Sequence, residues 1–226
     1  WSPGGTRRRL GPEVSEQQAR NWHEGGVGKD MATNRLPGTI SRPTLHEEEI
    51  RRRVAELGRE ISDDYRREFG KDPHLVAVTV LKGGFMFLAD LVRHLDMDVS
   101  VDFLSITRFD QSTGIKGPVR ITQDLSLSIT GRCVLVVEDI VDTGLTLNYI
   151  LKTLRAREPE DLRVCVLLDR TSRRIVPVEI RYRGFEIGED FLVGYGLDYL
   201  ERGRNLRDIR ALVPGPRREE GRPLIL

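Results

Sequence analysis

Three runs of Val, Leu, Ile and Cys most constrain what this chain can fold into: Leu75–Leu81 (LVAVTVL), Cys133–Val137 (CVLVV) and Leu162–Leu168 (LRVCVLL). A strand with one wet face alternates apolar and polar residues, whereas a run apolar at nearly every position belongs to a strand covered on both faces. Segments with helical spacing separate these runs. Ile50, Val54, Leu57, Ile61 and Tyr65 follow Thr44 and Glu47, a pair at capping-box spacing, and Gly70 and Pro73 close that helix. Phe85–Leu95 reads as a second helix and Leu145–Arg157 as a third. Strands alternating with helices need crossover connections, so the expected class is α/β, with a mostly parallel central sheet flanked by helices. Further strands are expected at Val99–Ile106, Val119–Leu125, Val176–Arg183 and Leu192–Gly194. Between the first two of these, Thr107–Pro118 is polar and holds Gly114 and Gly117, which reads as a mobile loop.

Composition narrows the function. Among 226 residues, 36 Lys and Arg face 35 Asp and Glu, a net charge of +1, which argues against a dedicated nucleic-acid binder. The most apolar stretch, Leu75–Leu95, is interrupted by Lys82 and Asp90, so no membrane span is expected. No basic-then-apolar leader is evident, and Cys133 and Cys165 sit inside apolar runs as strand thiols; a cytoplasmic protein is expected. His23, His46, His74 and His94 are scattered, which argues against a structural zinc site. Residues 1–42, rich in Gly and Arg with little apolar periodicity, read as a disordered extension, 43–213 as one domain, and 214–226 as a tail.

Ligands of parallel sheets bind outside the carboxyl ends of the strands, which directs attention to the loops after Leu81, Val137 and Leu168. The second carries the main signal, EDIVDTGLT, residues 138–146. A buried strand ends in Glu138 and Asp139, and a third acid, Asp142, opens the turn Thr143-Gly144-Leu145-Thr146 that leads into a helix. The amides of a helix start bind phosphate, Gly144 lets the backbone approach closely, and the two threonine hydroxyls add donors. Acids just upstream suit sugar hydroxyls or a hard cation such as Mg²⁺. A helix cap would explain one acid at this place but not three in five positions. Neither a Walker lysine nor G-x-G-x-x-G is present.

This string resembles the PRPP-binding motif of type I phosphoribosyltransferases. Its neighbours resemble the hypoxanthine-guanine (6-oxopurine) branch: LKGGFMFLADL from Leu81 its pyrophosphate loop, LLDRTSRR from Leu167 its purine-facing segment, and GFEIGEDFLVGYGLDY from Gly184 its hood over the base. The resemblance implies Mg²⁺-dependent transfer of a 5-phosphoribosyl group from PRPP to N9 of hypoxanthine or guanine, giving IMP or GMP and pyrophosphate. It places Asp142 as general base toward N7, Glu138 and Asp139 on the ribose hydroxyls directly or through Mg²⁺, and Asp142 through Thr146 as the 5′-phosphate cradle. By the same resemblance Lys82, Gly83 and Arg204 face pyrophosphate, with a cis peptide bond before Lys82. Arg170, Phe191, Leu192 and Asp198 face the purine, with Phe191 stacking on it, and Asp198 is also a second magnesium ligand. The hood is drawn from parts of 43–60 and 170–212, and a homodimer or homotetramer is implied, for which the apolar helix from Phe85 offers an interface.

Two positions depart from the family pattern. Arg170 stands where lysine is usual; a cationic donor still favours an oxo group over the amino group of adenine, while its planar fork leaves preference among hypoxanthine, guanine and xanthine open. Arg108 and Phe109 stand where the closing loop commonly has Ser-Tyr, and the expectation is that the loop still closes, Phe109 replacing the ring and Arg108 adding a phosphate contact. Two alternatives stand beside the main reading: transfer to xanthine or another base, and a PRPP- or nucleotide-binding regulator without turnover, against which the retained Asp142, Lys82, Phe191, Asp198 and Arg204 argue.

Overall fold

The computed structural model describes residues 39–71, 73–108 and 119–213. In chain order the elements are β1 (Thr39–Leu45), α1 (Glu47–Phe69), β2 (His74–Leu81), α2 (Phe85–Val92), β3 (Asp98–Arg108), β4 (Val119–Gln123), β5 (Cys133–Val141), α3 (Leu145–Arg155), β6 (Asp161–Asp169), β7 (Tyr182–Glu186), β8 (Leu192–Val193) and β9 (Ile209–Val213). A six-stranded sheet runs β4-β3-β2-β5-β6-β7. Every pair in it is parallel except β3 with β4. The α/β class with a mostly parallel sheet is therefore the architecture of this chain. A three-stranded antiparallel sheet, β1-β9-β8, lies apart from it.

Alternation along the central strands decides which helix covers which face. Leu75 and Ala77 of β2, Leu135 and Val137 of β5, and Cys165 and Leu167 of β6 pack with Ile50, Leu57 and Ile61 of α1 and Phe87 and Leu91 of α2. The intervening residues, among them Val76, Val134, Val136, Val164 and Val166, pack with Leu147, Ile150, Leu151 and Leu154 of α3. Each buried Val, Leu, Ile or Phe among them contributes about 1.5–3 kcal/mol by leaving water, and the two-sided burial explains why the runs are apolar at nearly every position. Cys133 and Cys165 are buried free thiols, and burial pushes the Cys133 thiol up to about 11.

Several boundaries differ from the sequence expectation. Strand β1 starts at Thr39, within the stretch read as an extension, where Thr39 and Ile40 pair with Val213 and Leu212; residues 1–38 and 214–226 lie outside the described residues. Thr44 sits in β1, and α1 starts after His46, whose N–H donates to the Glu49 carboxylate at 2.9 Å. The strand expected at Val176–Arg183 falls at Tyr182–Glu186, in register with β6, while Val178 and Ile180 pack against the α3 side of the core without pairing. The apolar residues of α2 are spent on the chain's own core, where Phe87, Leu88 and Leu91 are buried. No helix among the described residues is long and apolar enough to cross a membrane.

The small sheet is fastened to α1 by one carboxylate. Asp208, just before β9, accepts the Glu47 N–H at 3.0 Å and Arg210 Nη2 at 2.7 Å. Partial burial works to raise this carboxyl, but the Arg210 and Glu47 hydrogen bonds outweigh it and hold Asp208 below the ordinary carboxylate range. A depressed carboxylate stabilises the fold above its unfolded pKa and loses that contribution as pH falls through its folded pKa. Asp208→Asn is expected to cost about 1–2 kcal/mol at pH 7, a few degrees of melting temperature, with the gap to the parent closing below about pH 4. Thermal denaturation of both proteins across pH 3–8 measures this.

Candidate functional site

Strands β2, β5 and β6 all end on one side of the sheet, and the segments that follow them meet there. The cavity at this edge, about 310 Å³, is lined by Leu81 and Gly83 after β2, by Glu138, Asp139, Asp142, Thr143 and Gly144 at the end of β5, and by Thr146 of α3. Seven of the expected site residues thus share one cavity; Leu145, in the same turn, is half exposed. The turn is held by Thr143, whose carbonyl accepts the N–H groups of Ile175 and Val176, both at 3.0 Å. Gly144 has φ +79°, and a Cβ there would lie 2.5 Å from the Val176 carbonyl oxygen. Only glycine allows this turn to feed α3, whose N-terminus brings the positive end of its dipole to the cavity.

The carboxylates at the end of β5 are in an electrostatically costly place. Glu138 is buried, and desolvation together with the Asp139 charge raises its carboxyl well above the ordinary range. Asp139 is pushed up to about 6 by burial and the nearby Asp198, against the lowering effect of the Ile140 N–H and Arg204. Both groups are short of positive charge and present only oxygen. Mg²⁺ takes oxygen ligands and is commonly held by one or two carboxylates plus substrate oxygens. Among the described residues no three His, Cys, Asp or Glu side chains converge as a metal cage. The donor set therefore fits a Mg²⁺ ion shared with substrate oxygens.

Two segments distant in sequence meet beside Asp139. The Leu81–Lys82 peptide bond is cis, and a Cβ on Gly83 would fall 1.8 Å from Asp139 Oδ2, so the loop lies directly against that carboxylate. Lys82 Nζ meets Glu201 Oε2 at 2.9 Å. Arg204 Nη2 meets the same oxygen at 3.3 Å and Asp198 Oδ1 at 2.7 Å, while its Nη1 donates to the Gly196 carbonyl at 2.8 Å. Asp198 Oδ2 accepts the Glu201 N–H at 2.8 Å. Asp198, expected as a metal ligand, is thus engaged by Arg204 and by the chain's own turn. Glu201 is a residue that sequence reasoning passed over; a lone exposed acid carries no signal until Lys82 and Arg204 are seen to converge on it.

Beyond the turn after β5, Arg170 is buried and its Nη1 donates to Asp142 Oδ1 at 2.7 Å. Phe191 packs edge-on against Tyr199, ring centres 5.6 Å apart, and Leu192 lies in β8 opposite Ala211. Sequence reasoning also missed Asp169, fully buried and paired with both Arg174 and Arg183; it pins the loop after β6 to β7. Arg108 is the last residue of β3, in register with Val119, and Phe109 lies outside the described residues.

Comparison with known proteins agrees with this geometry. The family model for the phosphoribosyl transferase domain matches residues 45–200. The hypoxanthine-guanine phosphoribosyltransferase of Mycobacterium avium is 48% identical over 181 residues, covering 79% of this chain and 88% of that protein. The hypoxanthine phosphoribosyltransferase of Escherichia coli K12 is 44% identical over 169 residues, covering 75% and 93%. Among solved structures, a hypoxanthine-guanine phosphoribosyltransferase from Bacillus anthracis, with a HEPES molecule in its active site, superposes with a TM-score of 0.71 at 39% identity, covering 77% of this chain and 99% of that one. With a family match over most of the described chain, relatives sharing 44–48% of their sequence with it and a superposable solved structure, this chain belongs to the phosphoribosyltransferase family, in the branch of the hypoxanthine-guanine enzymes.

Proposed function

We propose that the chain transfers a 5-phosphoribosyl group from PRPP to N9 of hypoxanthine or guanine, yielding IMP or GMP and pyrophosphate, with Mg²⁺ as cofactor and Asp142 as general base. The observation that carries this reading is the single cavity in which Glu138, Asp139, Asp142, Thr143, Gly144 and Thr146 come together beside the Gly83 loop. Reduced, buried thiols suit a cytoplasmic setting, which is part of the same proposal.

The chemistry asks little covalent work of the protein. N9 of the purine bonds to C1 of the ribose as the C1–pyrophosphate bond breaks, through a transition state with positive charge on the sugar. The Thr143–Thr146 turn and the α3 N-terminus hold the 5′-phosphate, which fixes the ribose. Glu138 and Asp139 bear on its hydroxyls and their negative charge offsets the developing cation. Glu138 and Asp139, together with substrate oxygens, would hold Mg²⁺, and Asp198 would serve a second ion; the bound metal would supply charge neutralisation to the pyrophosphate group. Lys82, Gly83 and Arg204 receive that group. Phe191 covers the base face, the Leu192 backbone meets its edge, and Arg170 favours an oxygen at C6. As the ring acquires positive charge its N7 proton passes to Asp142, whose side chain is 41% exposed and has one oxygen engaged by Arg170. By the family resemblance Arg108 and Phe109 would serve closure over these groups.

Absorbance assays with PRPP and Mg²⁺ test the proposal. Turnover of hypoxanthine or guanine is expected and of adenine is not, and Asp142→Asn is expected to lower kcat by about 10²–10⁴-fold, the range for loss of a general base. Silence with all three bases would sink it. A second expectation concerns Glu201, whose carboxyl the bonds from Lys82 and Arg204 hold below the ordinary range. It occupies the cations assigned to pyrophosphate, so PRPP must displace it. Glu201→Gln is expected to lower the PRPP KM by a few-fold and to leave the melting temperature unchanged, since the pairs are solvent-exposed; steady-state kinetics and calorimetry read both.

A further inference from the structure

We propose that Arg170 is a positioning residue for the reaction: one guanidinium locks the Asp142 carboxylate and the turn ahead of Phe191 into a single arrangement, so that the proton acceptor and the base-covering segment are set together. This deepens the function proposed above and rests on Asp142 being the proton acceptor.

The residues after β6 are stitched to the segment that leads into β8. Thr171 bonds Glu186, and Ser172 and Arg173 both bond Glu189. Those contacts lie at the surface, where solvent competes for every partner. Arg170 differs in both burial and reach. It is 4% exposed, its Nε donates to the Gly188 carbonyl at 2.7 Å and its Nη2 to the Asp190 carbonyl at 2.6 Å. Its remaining nitrogen, Nη1, crosses to Asp142 Oδ1 at 2.7 Å. The Arg170 backbone N–H also donates to the Val141 carbonyl at 2.9 Å. Arg170 therefore grips the β5 turn by main chain and side chain at once, and holds the 188–190 turn at two points.

This arrangement uses the shape of the guanidinium. Its N–H groups diverge in one plane, so Nε and Nη2 meet two carbonyls two residues apart while Nη1 faces the carboxylate. An ammonium radiates its donors from one atom and has no plane with which to orient a carboxylate. Asp142 itself is 41% exposed on its side chain; a carboxylate so open to solvent is free to change rotamer unless something holds it. A proton acceptor displaced by about 1 Å loses on the order of 100-fold in rate.

Steady-state kinetics of four proteins, the parent, Arg170→Lys, Asp142→Asn and the double variant, test this at saturating PRPP and hypoxanthine. Arg170→Lys is expected to lower kcat by about 10- to 100-fold while changing the PRPP KM by less than about 2-fold, because the phosphate cradle does not involve it. In the Asp142→Asn background the same exchange is expected to lower kcat by a factor several-fold smaller, since no carboxylate is left to position and only the hold on the 188–190 turn is lost. An equal factor in both backgrounds overturns the inference and leaves Arg170 as a contact to the base alone, with the proposed function intact. Parent-like turnover by Asp142→Asn overturns the general-base assignment and the inference with it. If Arg170→Lys melts well below the parent, Arg170→Gln, which keeps a planar amide donor, takes its place in the cycle.

Discussion

The parallel pairing of β5 between β2 and β6 is the constraint on which the rest of this molecule depends. Its register sets Val76 beside Val134, and Val136 beside Val164, so both faces of the central strand are closed by helices and neither end can slide without exposing a row of valines. That rigidity is what brings Glu138 and Asp139 into a cavity where their charges are poorly solvated. A flexible loop would carry the same acids out into water, and their carboxyls would return to ordinary values. The fold stabilises an unfavourable placement of charge with core burial elsewhere, which is the usual condition of a binding site.

Charge in the site is balanced internally in two linked groups. Arg170 answers Asp142 beside the turn after β5, and Lys82 and Arg204 answer Glu201 and Asp198 beside the Gly83 loop. Only the first involves a buried cation. Removing one partner of a buried, hydrogen-bonded pair strands the other, whereas exposed pairs dissociate and re-form at little cost. The two ends are therefore suited to different tasks. The Lys82–Glu201–Arg204 cluster can exchange its carboxylate for incoming phosphate oxygens, while Arg170 and Asp142 are built to stay as they are. Glu138 and Asp139 lie between, with no comparable cation of their own, and a metal shared with substrate would complete them.

Much of this was legible in the chain before any coordinates. Runs such as CVLVV, apolar at every position, require a two-sided environment, and spacing such as Ile50, Val54, Leu57 and Ile61 requires a helix, so the class of fold followed from local rules. The acids and the Thr-Gly turn at the end of such a run marked the site for the same reason: their proximity is a matter of sequence distance. What escaped were interactions made across it. His46 and Glu49, rather than Thr44 and Glu47, define the start of α1 because Thr44 lies in a strand whose Pro43 and Leu45 pair with Arg210 and Ile209, far along the chain. Val178 and Ile180 look like strand residues, yet the register of β6 with Tyr182 leaves them as packing contacts. Glu201 and Asp169 are single acids whose meaning lies wholly in the arginines and lysine that converge on them.

Arg170 shows how far a motif carries and where physics must take over. Its place in LLDRTSRR, by resemblance to the family, implies a residue facing the purine, and charge alone makes arginine a passable substitute for lysine there. Three nitrogens committed to Gly188, Asp190 and Asp142 say something the motif does not. A lysine at this place would be one donor group near the base; the arginine is a brace that joins the turn after β5 to the turn before β8. Because its main-chain N–H also bonds Val141, the brace is anchored on the same rigid strand that delivers Asp142. The substitution thus moves part of the work of ordering the site from the substrate to the protein, and a site ordered in advance spends less of its binding energy on orientation.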